Sequence, residues 1–222
     1  MDGGISPNQL PRHQRAPVAV HLAGGVQTSD RSPVPRVNWI KLELSWRGVL
    51  DTRGMEVCPR RRLRGTDTSQ AIQACGAARV GRGHLFAKVF VPNQPAFSVR
   101  AHLTAFNGVT QSGDRLVLVH AYASNPPVSF VIPFSVHVHP ATSRTVLVAL
   151  IRRSAGPWPH VATFRMDVSR SFRYRGAMHS YLSASCPAPS AFTGGFSVAR
   201  AIYTFAGGDQ QTVESVRSCH TR

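Results

Sequence analysis

Three observations predict an all-β fold for this chain of 222 residues. Segments in which apolar and polar residues alternate recur along most of the sequence, as expected for strands with one buried face. Turn-forming Pro, Gly and Asn residues separate these segments at intervals typical of β-sandwiches. One convincing helical pattern lies near residues 68–75. We therefore predict an antiparallel β-sandwich of about eleven strands with one short helix, and the alternative is a closed barrel.

The predicted domain begins after a polar N-terminal segment. Residues 1–16 have no periodic apolar pattern, and we expect them to form a disordered tail. Residues 17–222 are expected to form a single domain, because all-β domains often exceed about two hundred residues. Apolar residues alternate within 18–22 and again within 40–46, which predicts the first two strands.

The predicted helix has recognisable ends. Asp67 can cap its N-terminus, and Gln70 stands where a capping box requires it. Ile72 and Cys75 are three residues apart, which places them on one helical face. Gly76 can end the helix, since glycine adopts a left-handed backbone at little cost. A helix of about two turns is unstable alone, so other contacts must stabilise it.

The remaining strands are predicted after this helix. Asn107-Gly108 and Gly207-Gly208-Asp209 indicate hairpin turns between neighbouring strands. The predicted strands lie at or near residues 85–91, 100–106, 116–122, 130–138, 146–151, 161–168, 181–184, 196–205 and 212–216.

Four cysteines, an even number, allow three disulfide pairings. Proximity in sequence favours Cys58–Cys75, which would stabilise the short helix, and Cys186–Cys219. Buried free thiols are the alternative. The sequence contains no Cys-x-x-Cys pair, so a zinc ribbon is not expected.

The expected compartment depends on these cysteines. Disulfides indicate an oxidising environment, which favours a secreted or cell-envelope protein. However, no apolar signal-peptide region follows Met1. Either the start codon is assigned wrongly, which is the preferred interpretation, or the protein is cytoplasmic and its cysteines are reduced. No apolar stretch is long enough for a transmembrane helix.

The composition is strongly basic. The chain has 26 basic and 10 acidic residues, a formal charge of +16, and all its basic residues except Lys41 and Lys88 are arginines. Such a charge attracts polyanions, although an arginine bias also arises in GC-rich genomes. The densest group, and the candidate polyanion-binding site, consists of Arg60, Arg61, Arg62 and Arg64. No aromatic residue is interleaved with it, so no specific nucleic-acid recognition is expected.

Acidic residues are too scarce to indicate a catalytic site. Glycosidases need two carboxylates, and the candidate pair here is Asp51 with Glu56. A solvated loop in which these carboxylates pair with nearby arginines is the favoured alternative. Nucleophile-elbow, zinc-protease, P-loop and dinucleotide motifs are missing from the sequence, so no catalytic residue is assigned and no cofactor is expected.

Histidines provide the remaining candidate site residues. His137 and His139 would point to the same side of a strand, as two metal ligands do, and His120 could approach them. No third ligand is evident near them in sequence, so we predict no metal site. His120 and Tyr122 share a strand face and are a candidate site, with a hydrogen-bonded core histidine as the alternative.

Several segments together resemble a family of uncharacterised exported actinobacterial proteins with two cysteine pairs. The resemblance extends from about Val18 to Cys219, and the spacing of both cysteine pairs agrees with the family. It implies an extracytoplasmic, disulfide-bonded protein, and it brings no activity, cofactor or catalytic residue. The segments that carry it are LDTRGMEVC (50–58), AIQACGAARVGRG (71–83), LTAFNG (103–108), LVHAYA (118–123), FRYRGAMHSYLSASCPAP (172–189) and FSVARAIYTFAGG (196–208).

These observations favour a non-catalytic extracellular or cell-envelope module. Its expected partner is an anionic cell-surface polymer or an envelope protein, and the sequence does not define an oligomeric state. Two alternatives stay open: a hydrolase built around His120 with Asp51 or Glu56, and a weak nucleic-acid binder.

Overall fold

The computed structural model consists mainly of strands. It describes residues 2–26, 35–44, 48–89, 93, 95–139, 144–151, 159–186, 188–189 and 194–221. The ends of two predicted strands, residues 45–46 and 90–91, lie outside these residues. Among the described residues, no helix is both long and apolar enough to cross a membrane.

The described residues form eighteen strands and one α-helix. In order, the strands are β1 (Asp2–Ser6), β2 (Gln9–Leu10), β3 (Ala16–Pro17), β4 (Ala19–Gly25), β5 (Val37–Leu44), β6 (Val49–Leu50), β7 (Arg79–Val89), β8 (Phe97–Val109), β9 (Arg115–Ser124), β10 (Pro127–Val138), β11 (Thr145–Leu150), β12 (Pro159–Val168), β13 (Ser171–Tyr174), β14 (Ala177–Ser180), β15 (Leu182–Ala184), β16 (Phe196–Phe205), β17 (Gln210–Arg217) and β18 (His220–Thr221). The helix α1 (Thr68–Cys75) precedes β7, and 3-10 turns flank it at Arg60–Leu63 and Gly76–Ala78.

Eleven of these strands form one antiparallel sheet that nearly closes on itself. Their order is β1-β4-β12-β7-β8-β9-β10-β11-β5-β16-β17. The two outermost strands approach each other, since the Ser215 hydroxyl on β17 lies 3.4 Å from the Gly3 carbonyl on β1. Arg217 and Asp2 form an ion pair across the same seam. The predicted all-β fold of about eleven antiparallel strands with one short helix is confirmed.

The interior of the sheet holds the main hydrophobic core. Alternate residues of each strand point inward, because successive side chains in a strand lie on opposite faces. Inward residues such as Leu103 and Met166 pack with Tyr181 and Leu182 from outside the large sheet. Small sheets with the orders β3-β15-β6, β13-β14 and β2-β18 complete the fold.

The helix forms as predicted and packs on the outer face of the large sheet. The Asp67 carboxylate accepts a hydrogen bond from the Gln70 backbone amide, and the Gln70 side-chain oxygen accepts one from the Asp67 backbone amide, which completes the capping box. Buried Ala71 packs in a cluster with Phe106 and Leu118 of the sheet. Gly76 differs from the prediction: its backbone is right-handed, and the chain continues into a 3-10 turn.

Both predicted disulfides are present. Cys58 bonds to Cys75 with Cα atoms 5.5 Å apart, and Cys186 bonds to Cys219 with Cα atoms 5.8 Å apart. The first joins α1 to the segment before it, and the second joins the chain after β15 to the connection between β17 and β18. No cysteine of the described chain is free.

The N-terminal segment differs from the expected disordered tail. Asp2–Ser6 pairs along β4, and Gln9–Leu10 pairs with β18. Leu10 is only 2% exposed and belongs to the main core. Local periodicity cannot reveal these strands, because their partners β4 and β18 supply the hydrogen bonds and the burial.

Candidate functional site

The candidate site is the outward face of four neighbouring strands, β12, β7, β8 and β9. Residues paired across strands lie on the same side of a sheet. The register places Arg165 opposite His84, His84 opposite His102, and His102 opposite Tyr122. Alternate residues along the strands share this side. We call this surface the basic face, and it consists of Arg82, His84, Phe86, Lys88, Arg100, His102, Tyr122 and Arg165.

The basic face is open to solvent, whereas the opposite side of the same strands is closed. All four of its cationic side chains are exposed, and Phe86 is 41% exposed. The neighbours that alternate with them, Ala87 and Ala101, are 2% and 5% exposed. The strand alternation therefore displays Arg82, Lys88, Arg100 and Arg165 outward.

Aromatic rings lie among the cations of the basic face. The guanidinium of Arg100 lies 5.5 Å from the centre of the Phe86 ring, within the range of cation–π attraction. His84 contacts Phe86 edge-on at 5.7 Å between ring centres. This pairing keeps the arginine beside a flat apolar surface that can also receive a planar group.

Positive charge on the basic face is not neutralised within the described chain. Arg82, Lys88, Arg100 and Arg165 form no ion pair with a described carboxylate. Asp167 is the one carboxylate on these four strands; it lies on the same side, opposite Arg82 in the register, and contacts His21 at 2.5 Å rather than any of the four cations. The four cations are therefore available to anionic groups from outside.

The predicted arginine cluster, Arg60–Arg64, lies on the same outer side of the sheet. Its four arginines are exposed on the 3-10 turn before α1. The Arg60 side chain donates to the Val131 carbonyl of β10 at 3.4 Å. Strand pairing places Val131 of β10 level with Arg82 of β7. Three inter-strand spacings separate the two backbones, a distance of about 14 Å. The cluster thus adjoins the basic face, which is the larger site.

His120 is a buried structural residue rather than an accessible base. It is 0% exposed, and its Nε2 atom lies 3.0 Å from the Thr66 carbonyl. Its Nδ1 atom has no hydrogen-bond partner. Desolvation lowers the pKa of His120, so the ring is neutral at pH 7. The contact holds the chain before α1 against β9, as the core-histidine alternative predicts.

The structure does not bring Asp51 or Glu56 together with His120. Asp51 hydrogen-bonds Arg53 at 3.0 Å through both carboxylate oxygens, and this contact lowers the pKa of Asp51. His179 of β14 approaches the same carboxylate at 3.7 Å, a neighbour that the sequence did not indicate. Glu56 is exposed. Pairing of Asp51 with a nearby arginine matches the favoured alternative.

His120 is far from the other two histidine candidates for a metal site. His137 lies six residues along β10 from Val131, the partner of His120, a distance of about 20 Å. His139 lies beyond the end of β10 and donates its amide to the Arg144 carbonyl. No group of three potential ligands occurs among the described residues.

Sequence reasoning missed the basic face, although half of its pattern is visible. Arg82, His84, Phe86 and Lys88 alternate with small or apolar residues, which indicates one polar strand face. Arg100 and Arg165 join them only through strand pairing, and that pairing could not be derived from local sequence.

Comparison with known proteins provides no functional assignment, so the function is inferred from the geometry of the site. Neither family models, nor curated proteins, nor solved structures match this chain.

Proposed function

We propose that this protein is a non-catalytic module that binds polyanionic polymers through the basic face. The observation that carries the proposal is the set of four exposed cations without carboxylate partners, interleaved with Phe86 and Tyr122. Arginine suits this task because its planar fork matches phosphate and carboxylate groups.

The dimensions of the basic face favour an extended polymer over a single anion. Arg82 and Lys88 stand six residues apart on β7, a distance of about 20 Å. Arg100 and Arg165 lie on the strands at either side of β7. Several anionic groups of one chain can therefore contact the face together, and each contact releases counterions.

The two disulfides support an extracellular or cell-envelope location for this module. Disulfides persist in oxidising compartments and are rare in the cytosol. Anionic polymers of cell surfaces are accordingly the partners that we propose, and an envelope protein with an acidic surface is the alternative partner.

The test compares two triple variants with equal loss of charge. The first, R82Q/R100Q/R165Q, removes cations of the basic face. The control, R12Q/R15Q/R173Q, removes exposed arginines from the β2–β3 connection and β13. Retention on immobilised teichoic acid, heparin and DNA is measured across a salt series.

We expect the first variant to elute from all three columns at lower salt than the control does. Each lost phosphate contact should reduce the slope of log affinity against log salt by about 0.7 to 0.9. Equal behaviour of the two variants would refute the proposed site, because net charge alone would then explain binding.

A nucleic-acid role is the second candidate, and the rings of the basic face favour it. Exposed Phe86 and half-buried Tyr122 could stack on the bases of a single strand. Selective retention on single-stranded DNA at high salt, abolished in a Phe86→Ala variant, would support this role. Loss of all three polymers over one salt range would favour the general polyanion binder.

A further inference from the structure

A large apolar cavity opens through the wall of the nearly closed sheet. Its volume is about 890 Å³, within the range of small-molecule sites. It lies between β10 on one side and β5 with β11 on the other, and it reaches the inward faces of β7, β8 and β9. No residue of the basic face lines it, although Arg60 of the adjoining arginine cluster does.

The opening arises from incomplete strand pairing. β10 pairs with β9 from Pro127 onward, but it pairs with β11 only through Ser135–Val138. β11 continues to Leu150 along β5 without β10 beside it. The first part of β10 thus diverges from β11, and a gap leads into the interior.

Small side chains create the empty space inside. Ala87, Ala101, Ala121 and Ala123 line the cavity, where larger residues would fill it. All four are 5% exposed or less, which confirms that they belong to the inner wall.

The remaining lining is apolar with few polar groups. Leu85, Val99, Phe130 and Phe164 contribute the larger inner surfaces. Trp39 and Leu150 border the gap, and they are 45% and 38% exposed. An elongated apolar chain would cover both the inner wall and these exposed side chains.

The charged groups of this cavity are all positive. Among its described lining residues, Arg36 and Arg60 are cationic and none is acidic. The Arg36 Nε atom donates to the Asn38 side chain at 3.1 Å, and its guanidinium pairs with no described carboxylate. Burial raises the pKa of Tyr203, so its hydroxyl remains a neutral donor.

We infer that this cavity binds an amphipathic anion with a single long apolar chain and a carboxylate head group. The chain occupies the alanine-lined interior, and the carboxylate remains at the gap with Arg36. A cationic head group finds no equivalent partner there, because the described lining holds no acidic residue.

Binding of saturated fatty acids of eight, ten and twelve carbons to the purified full chain tests this inference by titration calorimetry. Affinity should rise with chain length, by up to about fourfold per methylene. Dodecyltrimethylammonium should bind at least tenfold more weakly than dodecanoate. Equal affinity for eight and twelve carbons, or preference for the cation, would overturn the inference.

Variants locate the site. Ala101→Leu and Ala121→Leu, made separately, narrow the cavity and should each weaken dodecanoate at least tenfold. Ala177→Leu, on exposed β14, is the matched control. Arg36→Gln should weaken dodecanoate but not dodecanol, whereas Arg173→Gln should change neither.

Two further measurements keep the result interpretable. Melting curves without ligand identify any variant that fails to fold, and Arg36→Gln then provides the test without altering the core. If Ala101→Leu and Ala121→Leu both fold and both retain full affinity for dodecanoate, the proposed cavity is contradicted. Heparin binding should be unchanged in the cavity variants, so this site and the basic face can fail independently.

Discussion

Removal of the Cys58–Cys75 disulfide should destabilise the protein by about 3 kcal/mol. The bridge closes a loop with a sequence separation of 17 residues. In the chain-entropy model, a loop of that length restricts the unfolded chain by about 3 kcal/mol. The helix within this loop has two buried residues, Ala71 and Cys75, so its own packing offers little compensation.

The assay is thermal unfolding of a C58A/C75A variant followed by circular dichroism. For a protein of this size, the expected loss lowers the melting temperature by about 6 to 12 °C. C186A/C219A is the comparison variant. Its bridge spans 33 residues, so its removal should lower the free energy of unfolding slightly more. A decrease below about 2 °C in C58A/C75A would refute the reasoning, because other contacts would then hold the loop closed.

Three further perturbations test other parts of the fold. Desolvation lowers the pKa of His120, so protonation of this ring destabilises the folded state as pH falls below about 6.5. The free energy of unfolding of His120→Gln should therefore change less between about pH 7.5 and about pH 5 than that of the unmodified protein. Gly83→Ala should lower the melting temperature by several degrees, since its Cβ would overlap the Arg165 carbonyl, whereas Gly4→Ala has open space and should be nearly neutral. Deletion of residues 2–10 should destabilise the protein, because it removes β1 and buried Leu10; an unchanged melting temperature would restore the disordered-tail interpretation.

Local sequence patterns predicted the elements whose contacts are themselves local. The capping box at Asp67 and Gln70 lies within four residues, and the alternation in the second half of β7 follows from one-sided burial. The disulfides followed from an even cysteine count and proximity in sequence. These features need no knowledge of strand order.

Features that depend on remote pairing could not be predicted. β1 is stabilised by β4 and by the seam with Ser215, more than two hundred residues away. Asp51 meets His179 through the β13–β14 hairpin. The burial of His120 depends on Thr66 and on the packing of α1. The sequence did predict that His120 and Tyr122 lie on the same face of one strand. The basic face likewise required the order of four strands.

Mapping the polyanion on the protein tests the central proposal most directly. The measurement is a nuclear magnetic resonance titration of isotope-labelled protein with a short heparin fragment at physiological salt. We predict that the largest amide shifts lie in β7, β8 and β12 around Arg82, Arg100 and Arg165, and that R82Q/R100Q/R165Q removes them. Shifts confined to residues 12–15 or to Arg173, with β7 and β8 unchanged, would contradict the basic face as the binding site.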